Sequence, residues 1–301
     1  MSGDVQPGLT SVVVVTANSG KLSVQCVENV LASIAMIEVL VVDNASEDGV
    51  LAELEDRFGE DPRLRILRQA SNIGFGPACN RGAALARGDR ILFLNPDCLV
   101  DPATIADLRA ATAELGNVGI LGVRVLGQNG HEEKAARRRD PTLTKSLSSL
   151  LGLARFEGRW PALAGISMPT AADPEAPECV DAVSGACLFL PRSAFDAVSG
   201  FDEDYFLHCE DLDLCRRIRD TGLDVVYIPT ITVRHEQGSS SRRRPLFVSR
   251  HKHHGMWRYF RRFDPAARNP FLRVLVWSGI WLHFLVLAPV NAWRQYRSGK
   301  R

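Results

Sequence analysis

The chain has 301 residues, 46% of them hydrophobic, and a formal net charge of +1, enough for one large globular domain or a domain with an appendage. The near-neutral total hides an asymmetry: residues 1–233 hold 21 Lys/Arg against 33 Asp/Glu, whereas residues 234–301 hold 15 against 2, so the basic end implies an anionic surface or partner. Seven cysteines with no C-x-x-C pair argue against a disulfide framework or a zinc site and fit reduced thiols in the cytosol.

Met1 to Thr10 lacks the basic and apolar regions of a signal peptide, so export is not expected. Val12–Val15 reads as the first strand, followed by the turn Asn18-Ser19-Gly20 and an amphipathic stretch to Ala35. Glu38–Val42 is a second strand ending at Asp43-Asn44, Asp48–Phe58 a polar helix and Leu64–Leu67 a third strand. Phe75–Arg87 reads as a helix and Arg90–Leu94 as a fourth strand, and Asp101-Pro102 opens another helix. Strands that alternate with helices and carry unbroken apolar runs predict an α/β, doubly wound, mostly parallel sheet covered on both faces.

The stretch from Gly127 to Glu178, with Arg137-Arg138-Arg139 and several prolines, reads as a long connection or an acceptor-side insert. Val180–Leu190 resembles a buried strand, and Leu223–Ile228 another that Pro229 closes. Beyond Pro245, basic and aromatic residues interleave, and Val274–Val290 then runs 17 residues without a formal charge if His283 is neutral. Extended to Trp293, a helix there would be about 30 Å long, close to the bilayer core. Ser278, Gly279, His283 and Pro289 dilute it, while Trp277, Trp281 and Trp293 suit an interface. A membrane-seated amphipathic helix is preferred to a full span, with a buried core helix as the plain alternative. The expected division is 1–240 as the catalytic body and 241–301 as a basic, aromatic helical extension.

Four strand ends carry polar groups: Thr16-Ala17-Asn18, Asp43 to Gly49, Asn72-Ile73-Gly74-Phe75-Gly76 and Asn95-Pro96-Asp97. Each alone is what any loop looks like, and Asp43 alone is as readily a turn or cap residue. Four in succession on one edge of a parallel sheet make a ligand site, because ligands bind beyond the carboxyl ends of such strands. A nucleoside diphosphate accounts for these residue types. A carboxylate after the second strand can accept a pyrimidine N–H, and glycines near Asn72 permit close backbone approach. Asp97 can hold a hard divalent cation that bridges phosphates and neutralises a departing diphosphate. No G-x-G-x-x-G follows the first strand, which argues against a dinucleotide site.

A second dense region runs from Gly200 to Leu214, with six acids within twelve positions. Leu212, Cys215 and Ile218 recur at helical spacing, which leaves Arg216, Arg217 and Arg219 free to lie outward. Glu210 and Asp211 then stand near a helix N-terminus, where the dipole favours carboxylates. The structural alternative is capping plus pairs from Asp213 to Arg216 and Arg217. Crowded carboxylates raise one another's pKa, which suits a general base. A third region is Arg234-His235-Glu236-Gln237-Gly238-Ser239-Ser240-Ser241 with Arg242–Arg244: either a metal- or diphosphate-binding element or a solvated loop.

These segments resemble the inverting glycosyltransferases of family 2, especially bacterial rhamnosyltransferase-like members. The motifs V-V-x-x-N-S, V-V-D-N-A-S-x-D-G, N-x-G-F-x-x-x-x-N-x-G, L-x-L-N-P-D, G-F-D-E-x-F-F and E-D-x-D-L-x-x-R correspond to Val14–Ser19, Val41–Gly49, Asn72–Gly82, Leu92–Asp97, Gly200–Phe206 and Glu210–Arg217. The match covers about residues 10–240. It implies a GT-A fold, with Thr16, Asn18, Asp43, Asn72, Gly74, Asn80 and Asn95 around the nucleotide sugar and Asp43 on the base. It further implies Mg2+ or Mn2+ on Asp97, the surviving acid of a D-x-D motif, with His235 as the downstream metal or phosphate ligand. Asp211 is then the base, supported by Glu210 and Asp213. Ala17 departs from the pattern, since an aromatic residue often stacks on the nucleobase there. The expected reaction moves a sugar, rhamnose from dTDP-rhamnose or one from a UDP donor, to a glycan or polyprenyl-linked acceptor in cell-envelope polysaccharide synthesis. It would take place at the cytoplasmic membrane face, with no nucleic acid and no oligomeric state implied. The alternatives are a catalytically silent sugar- or membrane-binding scaffold, a nucleic-acid binder using the basic tail, and a glycoside hydrolase using the paired acids.

Overall fold

The structure is a computed structural model that describes residues 5–168, 174–236 and 244–298. Strand β1 (Gln6–Thr16) is buried from Leu9 to Thr16. Helix α1 (Lys21–Leu31) turns Val24, Val27, Val30 and Leu31 inward, one face of a 3.6-residue period. β2 (Ile37–Asp43), α2 (Val50–Phe58), β3 (Leu64–Arg68), α3 (Phe75–Leu85) and β4 (Gly88–Leu94) follow. These four strands are parallel in the order β3-β2-β1-β4, so their carboxyl ends share one edge. β2 is buried along its whole length, as strands covered on both faces must be.

After β5 (Cys98–Leu99) and α4 (Thr104–Leu115), the chain forms β6 (Val118–Leu126), a strand that the sequence pattern does not predict. Gly119 and Gly122 disguise it as turn-rich, yet side chains there would collide with Ile218 and Val183, so both glycines serve close packing. Next come β7 (Arg137–Arg138), α5 (Leu143–Leu150), two 3-10 turns (Leu153–Phe156 and Pro161–Leu163), β8 (Glu178–Cys179), β9 (Ala182–Val183), β10 (Cys187–Pro191) and α6 (Arg192–Ala197). The described part of the long connection, up to residue 168, is therefore structured. Its three arginines each find a separate acid: Arg137 with Glu178 at 2.8 Å, Arg138 with Asp211 at 2.5 Å and Arg139 with Glu157 at 3.0 Å.

The expected strand over Val180–Leu190 is broken at Ser184-Gly185-Ala186. β9 pairs with β7 in a small second sheet, whereas β10 enters the main sheet antiparallel to β4. Helix α7 (Glu210–Asp220) precedes β11 (Asp224–His235), which does not stop at Pro229. Its pairing with β6 shifts register between Ile228 and Thr232, a bulge that absorbs a residue with no N–H to donate. The strand then resumes and delivers His235 to the ligand edge. Among the described residues the sheet has nine strands in the order β3-β2-β1-β4-β10-β6-β11-β5, with β8 on β11; β5, β8 and β10 run antiparallel to their neighbours.

At the opposite edge, Glu38 interrupts the apolar run of β2 while only 1% exposed. Ser11 donates to it at 2.6 Å, and Arg65 and Arg87 each reach it at 3.0 Å. Burial pushes its carboxyl up, but the Ser11 and Arg87 hydrogen bonds and the Arg65 charge outweigh this and hold it below the usual range.

Two helices close the chain: α8 (Pro245–Phe263) and, after a 3-10 turn at Pro265–Arg268, α9 (Pro270–Ser298). Helix α8 packs on the body. Asp202 holds Arg258 at 2.8 Å and Arg262 at 2.5 Å, Asp213 takes Arg262 at 3.1 Å, and Tyr259 donates to Asp140 at 3.0 Å. Helix α9 is joined to α8 through His253 Nε2 and His283 Nδ1, 3.0 Å apart. Its segment Pro270–Arg297 has a mean hydropathy of 1.8 with none of its apolar window buried, so it is not a core helix. By length and composition it is sufficient to cross a membrane.

Candidate active site

The shared carboxyl edge of β1–β4 opens into a cavity of about 500 Å³. Ala17, Asn18 and Ser19 line it beyond β1, and Asn44, Glu47 and Asp48 beyond β2. Asn72, Gly74 and Phe75 enter from the start of α3, and Asn95, Pro96 and Asp97 from the turn after β4. Phe206, Leu207, Arg244, Phe247 and Val248 complete the wall. Gly74 has φ +96°, and a Cβ there would stand 2.7 Å from the Phe206 carbonyl, so only glycine fits this seam.

Of the expected nucleotide-sugar residues, Asn18, Asn72, Gly74 and Asn95 line the cavity. Thr16 and Asp43 lie buried in register at the ends of β1 and β2, outside the lining. Both Asp43 oxygens accept from the Ser46 N–H at 3.2 Å, the turn role open to it from the start. Asn80 is elsewhere: it donates to the Phe201 carbonyl at 2.9 Å and to Glu203 at 3.0 Å, and accepts from the Phe201 N–H. It therefore clamps the Gly200–Phe201 segment onto α3, and it lies outside the lining.

Asp97 and His235 meet. His235 Nε2 is 3.0 Å from Asp97 Oδ1, and its Nδ1 is 3.0 Å from Glu133 Oε1. Burial pushes the imidazole down, but bonds to both carboxylates outweigh this and lift its pKa to about 10. Asp97, Cys98 and His235 bring ligand atoms within 4.8 Å of one another. A hard carboxylate and an imidazole nitrogen, with the second ring nitrogen oriented by Glu133, fit a divalent cation. An imidazolium held between carboxylates is also the arrangement such a cation would replace. Sequence spacing gave no sign of Glu133, which lies in the connection after β6.

Glu210, Asp211 and Asp213 sit on the first turn of α7, outside the cavity lining. Asp211 Oδ2 accepts from Gly185 N–H at 3.1 Å and from Arg138 at 2.5 Å, and its Oδ1 accepts from Leu212 N–H at 2.8 Å. A side chain at Gly185 would come within 3.2 Å of Asp211 Cβ. The neighbouring Ala186 carbonyl accepts from Asn95 N–H at 2.9 Å, so one backbone step separates Asp211 from the Asn95–Asp97 turn.

The acids of this turn are not equivalent. Burial and then the Asp211 charge push Glu210 up to about 8, and its Oε2 has no hydrogen-bond partner. Burial also pushes Asp211 up, but Arg138 and two backbone N–H groups outweigh it and hold Asp211 below the usual range. Crowding therefore raises Glu210 rather than Asp211, a correction to the sequence expectation. Asp213 is fully buried between Arg217 at 2.5 Å and Arg262 at 3.1 Å, which ties α7 to α8. Arg216 and Arg219 do not lie free outward but grip Asp140 of the connection at 3.1 and 2.6 Å. Gln237 to Arg243 lie outside the described residues.

Residues 11–168 match Glycosyl transferase family 2, and residues 173–296 match Glycosyl transferase family group 2. The chain is 31% identical, over 77% of its length and 82% of the relative's, to an N-acetylglucosaminyl-diphospho-decaprenol L-rhamnosyltransferase of Mycobacterium tuberculosis. Among solved structures it is similar to the mannosyltransferase PcManGT of Pyrobaculum calidifontis in complex with GDP-Man and Mn2+. That likeness has a TM-score of 0.59 at 16% identity and covers 97% of this chain and 75% of that one. It is also similar to S. aureus TarS 1-349 in complex with UDP-GlcNAc, with a TM-score of 0.55 at 14% identity, over 93% of this chain and 81% of that one. With a GT-A-like mixed α/β sheet and this sequence relationship, the chain belongs to glycosyl transferase family 2 and is a rhamnosyltransferase-like glycosyltransferase.

Proposed function

We propose that the protein transfers a sugar, with inversion, from a nucleoside diphosphate donor to a glycan or polyprenyl-linked acceptor. dTDP-rhamnose is the favoured donor and a UDP-sugar the alternative, a choice supported by the mycobacterial relative's name. The observation that carries the reading is the Asp97–His235–Glu133 chain on the edge of a cavity built from four parallel strand ends. The cavity would take the nucleoside diphosphate, with Asn18, Asn72 and Asn95 supplying polar contacts. Asp43 would act from beneath by holding the Ser46 turn. Asp97 and His235 would hold Mg2+ or Mn2+, and the Mn2+ in the similar mannosyltransferase complex favours this choice. When bound, such a cation neutralises charge on the leaving diphosphate.

Asp211 is the proposed base. Three of its roughly four acceptor positions are filled by Gly185, Arg138 and Leu212. The remaining one, on Oδ1, would take the proton of the acceptor hydroxyl as its oxygen bonds to the anomeric carbon and the bond to the diphosphate breaks. With one base and no nucleophilic carboxylate, a single displacement inverts the centre. Glu210, neutral at pH 7, would leave Asp211 as the only anion of the pair. Asp213 would support the site through its tie to α8. The body, residues 1–240, would do the chemistry, while 241–301 would seat the enzyme on the cytoplasmic face of the plasma membrane. The exposed apolar face of α9 and its flanking Arg273, Arg294 and Arg297 support that seat.

Calorimetry with nucleoside diphosphates and then nucleotide sugars, with and without Mn2+, tests the donor site. Binding of dTDP or UDP that requires the cation, followed by transfer to a polyprenyl-diphosphate sugar, is expected. Binding without any transfer or donor hydrolysis across the donor set would favour a silent scaffold.

A further inference from the structure

The connection between β6 and β8 holds an apolar surface outside the lining of the cavity. Within it, α5 is amphipathic in the unusual sense. Leu147, Leu150 and Leu151 recur along one face and are 46%, 62% and 65% exposed, whereas the residue turned inward is Ser148, 4% exposed. Phe156 at the end of the first 3-10 turn and Trp160 just before the second, 40% and 54% exposed, are in edge contact with ring centroids 6.2 Å apart. Five large exposed apolar side chains within fourteen residues exceed the scattered singles of an ordinary surface.

The charges around this surface have one sign. Arg155 lies over the Phe156 ring at 4.6 Å and Arg159 over Trp160 at 5.9 Å, and both arginines are exposed. Glu157, the one acid between Leu147 and Trp160, is turned away into its pair with Arg139. Arginines stacked on Trp and Phe in the same segment as exposed leucines match the residue types that favour a lipid headgroup boundary.

Position supplies the remaining argument. Leu143 N–H, at the start of α5, donates to Asp264 Oδ2 at 2.6 Å, and Tyr259 of α8 donates to Asp140 at 3.0 Å. Asp264 is the cap of the 3-10 turn that leads into α9. Whether α9 crosses a bilayer or lies on it, its root near Phe271 must stand at the membrane surface. A segment bonded to that root stands at the same level.

We propose that residues 147–160 form a second membrane contact, in which the leucines, Phe156 and Trp160 enter the headgroup boundary of an anionic bilayer while Arg155 and Arg159 pair with lipid phosphates. This rests on the membrane reading of α9 given above. It assigns the connection a role: with α9 it fixes the body at two points, so that the cavity keeps one orientation to a lipid-linked acceptor.

The test uses the full chain on liposomes of phosphatidylglycerol and phosphatidylcholine. An environment-sensitive fluorophore is placed at Leu151→Cys in a Cys179→Ser background, Cys179 being the exposed cysteine among those described. Glu60→Cys, exposed in the α2–β3 turn, is the reference position. The label at 151 should shift to the blue and be quenched by lipid-borne nitroxide, while that at 60 stays open to an aqueous quencher. Arg155→Gln and Arg159→Gln should each lower the docked-to-free ratio at 151 about fivefold on anionic liposomes, with little change on pure phosphatidylcholine. Liposome-bound protein whose label at 151 stays as aqueous as that at 60 would overturn this inference alone and leave the surface to a soluble partner or a second copy. Protein that fails to sediment with liposomes would overturn the α9 reading and this one with it.

Discussion

Replacing Glu210 by glutamine separates the two adjacent carboxyls of α7, because the shape is kept while the ionisation is removed. In the folded chain burial and the Asp211 charge push Glu210 from 4.5 to about 8. Between those values the folded state keeps a proton that the unfolded state has released, so stability falls as pH rises from about 4.5 to about 8, and is level beyond. At about 1.4 kcal/mol per pKa unit, the full loss is on the order of 5 kcal/mol. The Glu210→Gln variant lacks this slope. Urea unfolding from pH 5 to pH 9 should therefore show the variant gaining on the wild type up to about pH 8, with the difference constant from there to pH 9. Activity at pH 7 should be retained, because Glu210 is already neutral there. Parallel stability curves, or loss of turnover at pH 7 as severe as that of an Asp211 variant, would refute this assignment of the proton.

Asp211→Asn should lower turnover by about 10²- to 10⁴-fold with donor affinity kept, read from steady-state kinetics beside calorimetry. Asp97→Asn and His235→Gln should abolish the dependence of donor binding on Mn2+ and leave any cation-independent binding in place. Arg217→Met removes a partner 2.5 Å from the fully buried Asp213 and should destabilise by about 3–5 kcal/mol in urea, since one charge is left buried with Arg262 alone. Glu38, held below the usual carboxylate range, contributes stability that is present above about pH 4.5 and lost as pH falls through its folded pKa. Glu38→Gln should therefore flatten the acid side of the stability curve.

Where local pattern is enough, sequence and structure agree. The four parallel strands are β-branched or apolar runs ended by polar turns, and both signals lie within a few residues. The same locality made Asn18, Asn72, Gly74, Asn95 and Asp97 legible as one edge. Asn80 stands outside that edge, because a helix residue after a glycine turn shows its spacing but not its partner, here the Phe201 backbone. β6 was overlooked because its glycines resemble turns until α7 and β9 are packed against them.

The amino-acid order by itself determined the alternation of strands and helices, the polar strand ends that share one edge, the acids of α7 and the uncharged, largely apolar stretch of α9. Those are properties of neighbouring residues, whose periodicity and turn chemistry act over a few residues. Only the tertiary structure decided which carboxyl of the Glu210–Asp211 pair stays charged, because Arg138 lies 73 residues from Asp211. The same holds for His235, which Glu133 orients from 102 residues away after a strand has passed its own proline through a bulge. Burial and the approach of distant charges set those ionisations, and both exist only once the chain has closed on itself.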